Sequence, residues 1–330
     1  MERGIQIKLW RGICIGLLCL CSGMICGCSV TGADTFLTDH NRYPVDIFNN
    51  QLERELYCLY SDTQDICIIE DEFQYDNTYI QSPAGILFNI DSNEVLYSKN
   101  GREPYPIASL TKLMTALLVL ESNTLEDTVT VGEEVNITEY DAWLCYFHPG
   151  DMLTMRDLMY ATLIYSGNDA AAALAAHVGG TVENFVDLMN AKAEELGAKD
   201  TSFANPHGLD AEGHYSSLYD LYLIFNQCIQ YREFRNIIDT QSYVCSYTHA
   251  DGTEESRKFS NTNWYYTGEA KPPDGITILG GKTGNTAKAH RCLMILAENE
   301  AGERFLAGIL GAEDQVTLYR EMNRLLKLAE

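Results

Sequence analysis

The chain has 330 residues, of which 46% are hydrophobic and 21% charged, and its formal net charge is −24 with an isoelectric point near 4.5. This length and composition are typical of a globular protein with one large domain or two ordinary ones, and they argue against wholesale disorder. Because so acidic a chain repels phosphate groups, we expect no nucleic-acid partner.

Residues 1–27 have the features of an export signal. Three basic residues precede an apolar run that has the length of a signal peptide and is short for a membrane span. The letters ICGC place Ile25 at position −3 and Cys28 at position +1, which resembles the lipobox of bacterial lipoproteins. We therefore expect a lipoprotein signal peptide, lipidation of Cys28 and an extracytoplasmic protein anchored to the outer face of the cell membrane. An ordinary signal peptide or an uncleaved anchor is the alternative.

Residues 28–80 are polar and acidic, with little periodicity, and are predicted to be a spacer with a short helix near residues 47–60. Five of the eleven cysteines lie in the leader, and the other six lack metal-ligand spacing. Cys58 and Cys67 are the only local candidates for a disulfide, whereas Cys292 is predicted to be a buried thiol.

The remaining residues, 81–330, are predicted to form one domain that begins with a hairpin, because two strand-like runs at 85–90 and 94–98 flank turn residues. Helical periodicity follows at residues 106–121, 155–164, 169–178, 182–196 and 217–231. Strand patterns then occupy residues 275–285 and 291–312, with a turn at 299–302, and a helix is predicted at 315–328. The pattern predicts an α+β fold, in which an antiparallel sheet formed from both ends of the domain packs against a helical region.

The first predicted helix, residues 106–121, carries a lysine on its apolar face. Ser109 and Lys112 are three residues apart and so share a helical face, where a lysine is costly unless it has a function. A Ser-x-x-Lys pattern occurs by chance about once in a chain of this length. Here, however, Ser-x-Asn follows at residues 166–168 and Lys-Thr-Gly at residues 282–284.

These three motifs, in this order, match the signature of serine β-lactamases and penicillin-binding proteins. Over roughly residues 83–312 the chain resembles the serine-type D-alanyl-D-alanine carboxypeptidases, the low-molecular-weight penicillin-binding proteins. The resemblance implies a β-lactamase/transpeptidase-like fold. Asn285 departs from the bulky residue usual in the family at that place. We expect no C-terminal β-rich domain, so that the membrane tether would lie at the N-terminus.

The motif residues suggest an acyl-transfer site. Ser109 would be the nucleophile and Lys112 the base that takes its proton. Lowering the pKa of Lys112 to roughly 7 costs about 4–5 kcal/mol. The charge of Lys282, about 4 Å away, would supply about 4 kcal/mol of this, and burial would act in the same direction. Ser166 would pass a proton to the leaving amine, and Asn168 would hold Lys112 and a substrate carbonyl.

The third motif would bind the other end of the substrate. Lys282 and Thr283 would hold a terminal carboxylate, and Gly284 would let the substrate backbone approach the strand edge. Backbone N–H groups of Ser109 and Asn285 would stabilise the oxyanion. His148, His207 and His290 are expected to be structural or surface residues.

We therefore expect a D-alanyl-D-alanine carboxypeptidase that removes the terminal D-Ala from peptidoglycan stem pentapeptides through an acyl-enzyme on Ser109. β-Lactam antibiotics would be inhibitors, the membrane a partner through the N-terminal anchor, and no cofactor or metal is expected. A β-lactamase or D,D-endopeptidase on the same fold is the alternative enzyme. The alternative from another class is a non-catalytic module that binds β-lactams or the cell wall.

Overall fold

The computed structural model describes residues 66–69 and 79–330. The expected signal peptide with Cys28, the spacer helix near residues 47–60 and Cys58 lie outside these ranges. Within them, no helix combines the length and the apolar character that crossing a membrane requires. Cys67, the described member of the candidate disulfide, is a buried free thiol, as is Cys292.

The described residues form nine strands and eight α-helices. The strands are β1 (Ala84–Asn89), β2 (Glu94–Lys99), β3 (Thr128–Thr130), β4 (Met152–Thr154), β5 (Ser242–Thr248), β6 (Glu254–Ser260), β7 (Ile276–Thr286), β8 (His290–Asn299) and β9 (Arg304–Ala312). The helices are α1 (Lys112–Ser122), α2 (Met155–Tyr160), α3 (Asn168–Gly179), α4 (Val182–Glu195), α5 (Leu218–Cys228), α6 (Arg232–Ile238), α7 (Trp264–Thr267) and α8 (Gln315–Leu326).

The main sheet draws its strands from both ends of the domain, in the order β2-β1-β9-β8-β7, and every pair is antiparallel. This confirms the predicted α+β arrangement. Alternate residues of β1 face opposite sides: Ile86 and Phe88 join the core shared with the helices, whereas Leu87 joins the core under α8. The sheet is therefore buried on both faces, and its outer strand β7 remains an edge.

Two predicted helices, residues 106–121 and 155–164, are not regular α-helices at the ends that carry Ser109 and precede Ser166. A 3₁₀ turn, Ala108–Thr111, precedes α1, so that Ser109 lies on the turn and Lys112 begins the helix. The helix predicted at residues 155–164 is α2 followed by a π-helical turn, Ala161–Tyr165, and the chain leaves it through Ser166 with φ +73°. A left-handed residue ends the helix and turns the chain sharply.

The predicted helical region also contains a second antiparallel sheet, with the order β3-β4-β5-β6, which the sequence analysis missed. Strands β3 and β4 have three residues each and carry no readable alternation. Strand β6 is rich in charged and hydroxyl side chains, a composition typical of loops. The predicted helical region therefore also contains these short strands, which the sequence pattern did not indicate.

Helix α8 closes the main sheet by holding the chain that leads into β1. The carboxylate of Glu321 is fully buried and accepts hydrogen bonds from Gln81 N (2.7 Å), Ser82 N (3.0 Å) and Ser82 Oγ (2.5 Å). A buried carboxylate is tolerated only with such partners. Glu321 thus joins the two ends of the described domain.

We expect Glu321→Ala to lower the free energy of unfolding by about 3 kcal/mol, because it leaves buried backbone and hydroxyl donors without an acceptor. Urea denaturation followed by circular dichroism measures this change. Arg320→Ala, one residue away on the exposed face, is the control and should stay within about 0.5 kcal/mol of the wild type. Equal stability of the two variants would mean that the hydrogen bonds to the Glu321 carboxylate do not stabilise the domain.

Candidate active site

The first part of the site is the pair Ser109 and Lys112. Lys112 is fully buried, and its Nζ donates to Ser109 Oγ (2.9 Å), Asn168 Oδ1 (2.7 Å) and the carbonyl oxygen of His207 (2.6 Å). All three acceptors are neutral, and they come from three separate segments of the chain. Ser109 itself is only partly buried.

The turn that carries Ser109 depends on a close approach between two loops. Ala108 has φ +48°, and Gly208 lies against it with φ +89°. A Cβ on Gly208 would lie 2.0 Å from the carbonyl oxygen of Ala108, which no side chain permits. The loop of residues 205–210 therefore packs directly on the serine turn and brings the carbonyl of His207 to Lys112.

The second part of the site is the pair Ser166 and Lys282. The Nζ of Lys282 donates to Ser166 Oγ (2.9 Å) and to the carbonyl oxygen of Thr283 (2.9 Å), and Lys282 is 1% exposed. The left-handed conformation of Ser166 directs the chain from the π turn into α3, whose first residue is Asn168. The two lysines are thus each joined to one hydroxyl, and Asn168 is joined to Lys112.

Burial is the main cause of the unusual acidity of both lysines. It lowers the pKa of Lys112 well below its ordinary value, and the charge of Lys282 lowers it further. The sequence analysis assigned most of this shift to Lys282, and the structure reverses that order. Burial also lowers the pKa of Lys282 to about 7. Both shifts favour the neutral amine of the lysine beside each hydroxyl.

Strand β7 places the third motif along the free edge of the main sheet. Thr283 is half-buried, and the side chain of Asn285 is exposed. Gly284 packs closely on the serine turn, because a Cβ there would lie 3.0 Å from the carbonyl oxygen of Ile107 and 3.1 Å from Ala108 Cβ. Its missing side chain lets β7 approach this turn, and the expected approach of a substrate backbone at Gly284 stays a prediction.

Two residues beside this strand were missed in the sequence. The Oγ1 atoms of Thr262 and Thr283 are 2.6 Å apart, and Thr262 N donates to Ile164 O at 3.0 Å. Asp210 accepts from Thr286 Oγ1 (2.7 Å) and from Lys288 N (3.0 Å), and so fixes the end of β7. Neither contact has a sequence signal, because the partners of each pair are distant along the chain.

Asp169 was also missed, although it follows Asn168 directly. Its buried carboxylate accepts from Cys145 N (2.9 Å) and Phe147 N (3.2 Å). Between these two residues Tyr146 has φ +63°, a strained conformation for a bulky side chain. Asp169 thereby holds the loop that forms one wall of the site.

Two aromatic side chains of this loop are exposed next to the second motif. Trp143 O accepts from Asn168 N at 2.8 Å, and the ring centroids of Trp143 and Tyr165 are 5.6 Å apart. Trp143 is 55% exposed and Tyr146 64% exposed. Two large aromatic side chains of this loop are therefore open to solvent.

The histidines considered in the sequence lie apart from the paired hydroxyls and lysines, or contribute only through the backbone. The side chains of His148 and His290 are exposed. The ring of His207 is buried, which lowers its pKa to about 3, and it accepts from Leu209 N. A neutral, buried ring with a backbone partner is positioned as a structural group.

The arrangement can perform serine acyl transfer. A hydroxyl beside a neutral lysine can be deprotonated as it attacks a carbonyl. A second hydroxyl beside a second lysine can supply a proton to a leaving group. The hydrogen bonds described above join Ser109, Lys112 and Asn168 in one group. They join Ser166, Lys282 and Thr283 in a second group, and Ser166 and Asn168 are only two residues apart in the chain.

Comparison with known proteins gives a consistent result. The profile of the peptidase S11 family, described as D-alanyl-D-alanine carboxypeptidase, matches residues 71–314. The D-alanyl-D-alanine carboxypeptidase DacF of Bacillus subtilis is 32% identical over 257 residues, which are 76% of this chain and 62% of DacF. A D-alanyl-D-alanine endopeptidase of Pseudomonas aeruginosa is 32% identical over 216 residues, covering 66% of this chain and 67% of that protein.

Among solved structures, the Streptomyces K15 DD-transpeptidase superposes with a TM-score of 0.70 at 26% identity, covering 76% of this chain and 97% of that chain. The chain spans about three fifths of the length of DacF, since the match covers 62% of it. The family match extends over most of the described domain and includes all three motifs. The chain belongs to the peptidase S11 family, the D-alanyl-D-alanine carboxypeptidases.

Proposed function

We propose that this protein is a serine-type D-alanyl-D-alanine carboxypeptidase that removes the terminal D-Ala from peptidoglycan stem pentapeptides. The observation that carries the proposal is the contact of Lys112 with both Ser109 and Asn168, next to the contact of Lys282 with Ser166. This pairing provides separate groups for attack and for departure of the amine.

In the acylation step, the Oγ of Ser109 attacks the carbonyl carbon of the penultimate D-Ala while neutral Lys112 takes the hydroxyl proton. The negative charge that forms on the carbonyl oxygen is stabilised by the backbone N–H groups of Ser109 and Asn285. As the peptide C–N bond breaks, Ser166 donates a proton to the departing D-Ala amine and regains the proton that Lys112 took from Ser109, so that Lys112 is neutral again. Water then hydrolyses the ester and restores Ser109.

The substrate carboxylate binds at the hydroxyls of Thr283 and Thr262 and at Lys282. Because burial lowers the pKa of Lys282 to about 7, the charge of this lysine is costly in the empty site. An arriving carboxylate favours the protonated form, so that carboxylate and proton bind together. The peptide backbone extends along the free edge of β7 as an additional strand.

The acceptor of the acyl group is the one feature for which the relatives differ. The Streptomyces neighbour is a DD-transpeptidase and the Pseudomonas relative a D-alanyl-D-alanine endopeptidase. Transfer to an amine, or cleavage of cross-linked peptides, would use the same acyl-enzyme on Ser109. Release of free D-Ala from a pentapeptide, with little cleavage of cross-linked dimers, distinguishes the carboxypeptidase.

We expect benzylpenicillin to add its mass to the wild-type protein and not to Ser109→Ala, because only the serine can form the acyl bond. Release of D-Ala from diacetyl-L-Lys-D-Ala-D-Ala should fall at least about 1,000-fold in the variant. Intact-mass spectrometry and a D-Ala assay measure the two effects. Ser92→Ala, in the exposed turn between β1 and β2, is the matched control and should behave as the wild type.

Three outcomes would contradict the proposal. Rapid hydrolysis of the antibiotic without an accumulated adduct would favour the β-lactamase. An intact antibiotic with neither adduct nor D-Ala release would favour a binding module. Undiminished D-Ala release by the Ser109→Ala variant would exclude Ser109 as the nucleophile.

The pH dependence of acylation tests the role of the second lysine. Lys112 acts as a base only when neutral, so the acylation rate rises with pH through its lowered pKa. Removing the charge of Lys282 raises the pKa of Lys112, because the repulsion that favours its neutral form is lost. Lys282→Gln should therefore move the acid limb of the rate profile to higher pH, by about one unit.

Stopped-flow acylation by a chromogenic β-lactam between pH 4 and pH 9 measures this shift. Asn285→Ala is the control, because Asn285 is proposed to act through its backbone N–H, and its acid limb should stay in place. An acid limb that does not move in Lys282→Gln would mean that the charge of Lys282 does not control Lys112.

We further propose that the protein is attached to the outer face of the cell membrane through a lipid on Cys28. The support is the pattern of the leader, an apolar run that ends in a lipobox-like ICGC. Cys28→Ala should move the protein from the membrane to the soluble fraction, which fractionation and immunoblotting measure. Cys292→Ala serves as the control, and an unchanged membrane fraction for Cys28→Ala would overturn the anchor.

A further inference from the structure

Two histidines and an aspartate meet at the border of the second sheet, away from the paired hydroxyls and lysines. His148 and Asp151 belong to the turn that leads into β4, and His249 follows the end of β5. One ligand atom from each residue lies within 4.8 Å of the other two. We propose that His148, Asp151 and His249 form a binding site for a divalent transition metal such as Zn²⁺, independent of the proposed catalytic function.

The distances between the three ligand atoms suit a shared ion. His249 Nδ1 is 2.8 Å from Asp151 Oδ1, and His148 Nδ1 is 4.0 Å from Asp151 Oδ2. Two ligands that bind one zinc ion at about 2.0–2.1 Å lie about 3.3 Å apart in a tetrahedron. Small adjustments of both histidines would reach this separation, and the larger one falls on His148, whose side chain is 72% exposed.

The other polar atoms of the cluster hold the ligands as in known metal sites. A histidine that binds a metal through one ring nitrogen usually donates its other N–H to a carboxylate. His249 Nε2 lies 3.0 Å from Glu255 Oε2, and Arg257 in turn pairs with Glu255 at 2.7 Å. The Asp151 carboxylate is 1% exposed and accepts from His148 N at 2.9 Å, which fixes its orientation.

The ligand types select the class of ion. Two imidazole nitrogens and one carboxylate oxygen suit Zn²⁺ and its neighbours in the first transition row, whereas Mg²⁺ and Ca²⁺ prefer all-oxygen sites. The exposed side of the cluster leaves the fourth position to water. None of the three ligands contacts Ser109 or Lys112 in the described hydrogen bonds, so the ion would have a structural role.

The position of the cluster indicates what a bound ion would stabilise. It would join the turn of residues 148–151 to the connection between β5 and β6. The preceding residue, Phe147, donates to Asp169, the neighbour of Asn168. A bound ion would therefore fix the far end of the loop that carries Trp143 and Tyr146.

The test is calorimetric titration of ZnCl₂ into tag-free, full-length protein, after EDTA treatment and alkylation of accessible thiols. We expect one zinc ion per chain for the wild type. His249→Gln should abolish binding, and His148→Ala, a substitution of an exposed side chain, should weaken it at least tenfold. Glu255→Gln should weaken binding by about 10- to 100-fold, as losses of such outer carboxylates do.

His177→Gln is the matched control, because His177 also pairs with a carboxylate, Asp127 Oδ2 at 3.3 Å, but has no second histidine close by among the clusters described. It should bind zinc as the wild type does. Zinc should also raise the melting temperature of the wild type and not that of His249→Gln. Absence of binding at 100 µM zinc, or binding that His148→Ala and His249→Gln leave unchanged, would overturn the proposal.

Discussion

The site depends on the burial of two lysine side chains among neutral partners. Lys112 and Lys282 are at most 1% exposed, and their described hydrogen bonds go to hydroxyl, amide and carbonyl oxygens. A carboxylate partner would have favoured the charged form and so removed the base. The helices and the main sheet therefore have to supply dry, well-packed walls. The apolar residues of these helices and strands thus keep water away from the two lysines, in addition to stabilising the fold.

Polar residues around the lysines hold loops in place rather than adding charge to the site. Asp169 fixes the loop before α2, and Asp210 fixes the end of β7. Each carboxylate accepts hydrogen bonds from backbone N–H groups or hydroxyls, which stabilise its negative charge. The two aspartates therefore fix the backbone around the site, whereas the two lysines contact the hydroxyls proposed to react.

The sequence predicted the elements with long, regular periodicity and failed where the signal is short. The five strands of the main sheet and helices α1 to α5 are close to the predicted segments, since their apolar residues recur over at least one turn or several pleats. Three-residue strands such as β3 have no such pattern. The π turn before Ser166 was also not predicted, because helical periodicity over residues 155–164 does not distinguish a π turn from an α-helix.

The motifs identified the residues of the site but not its geometry. Ser109 and Lys112 were predicted to pair because their spacing is local, whereas Thr262 and Thr283 meet only through the tertiary fold. The close packing of Gly284 on the serine turn was not predicted, for the same reason. A glycine in the sequence can indicate that another group packs closely against the backbone, but only the structure identifies that group.

The three acceptors of Lys112 come from segments that meet only in the folded domain. In an unfolded chain the same lysine is hydrated, has its ordinary basicity and leaves Ser109 an unreactive alcohol. On the proposed mechanism, reactivity toward an acylating antibiotic is therefore a property of the completed fold and not of the Ser-x-x-Lys sequence. A labelled β-lactam would then count folded molecules alone.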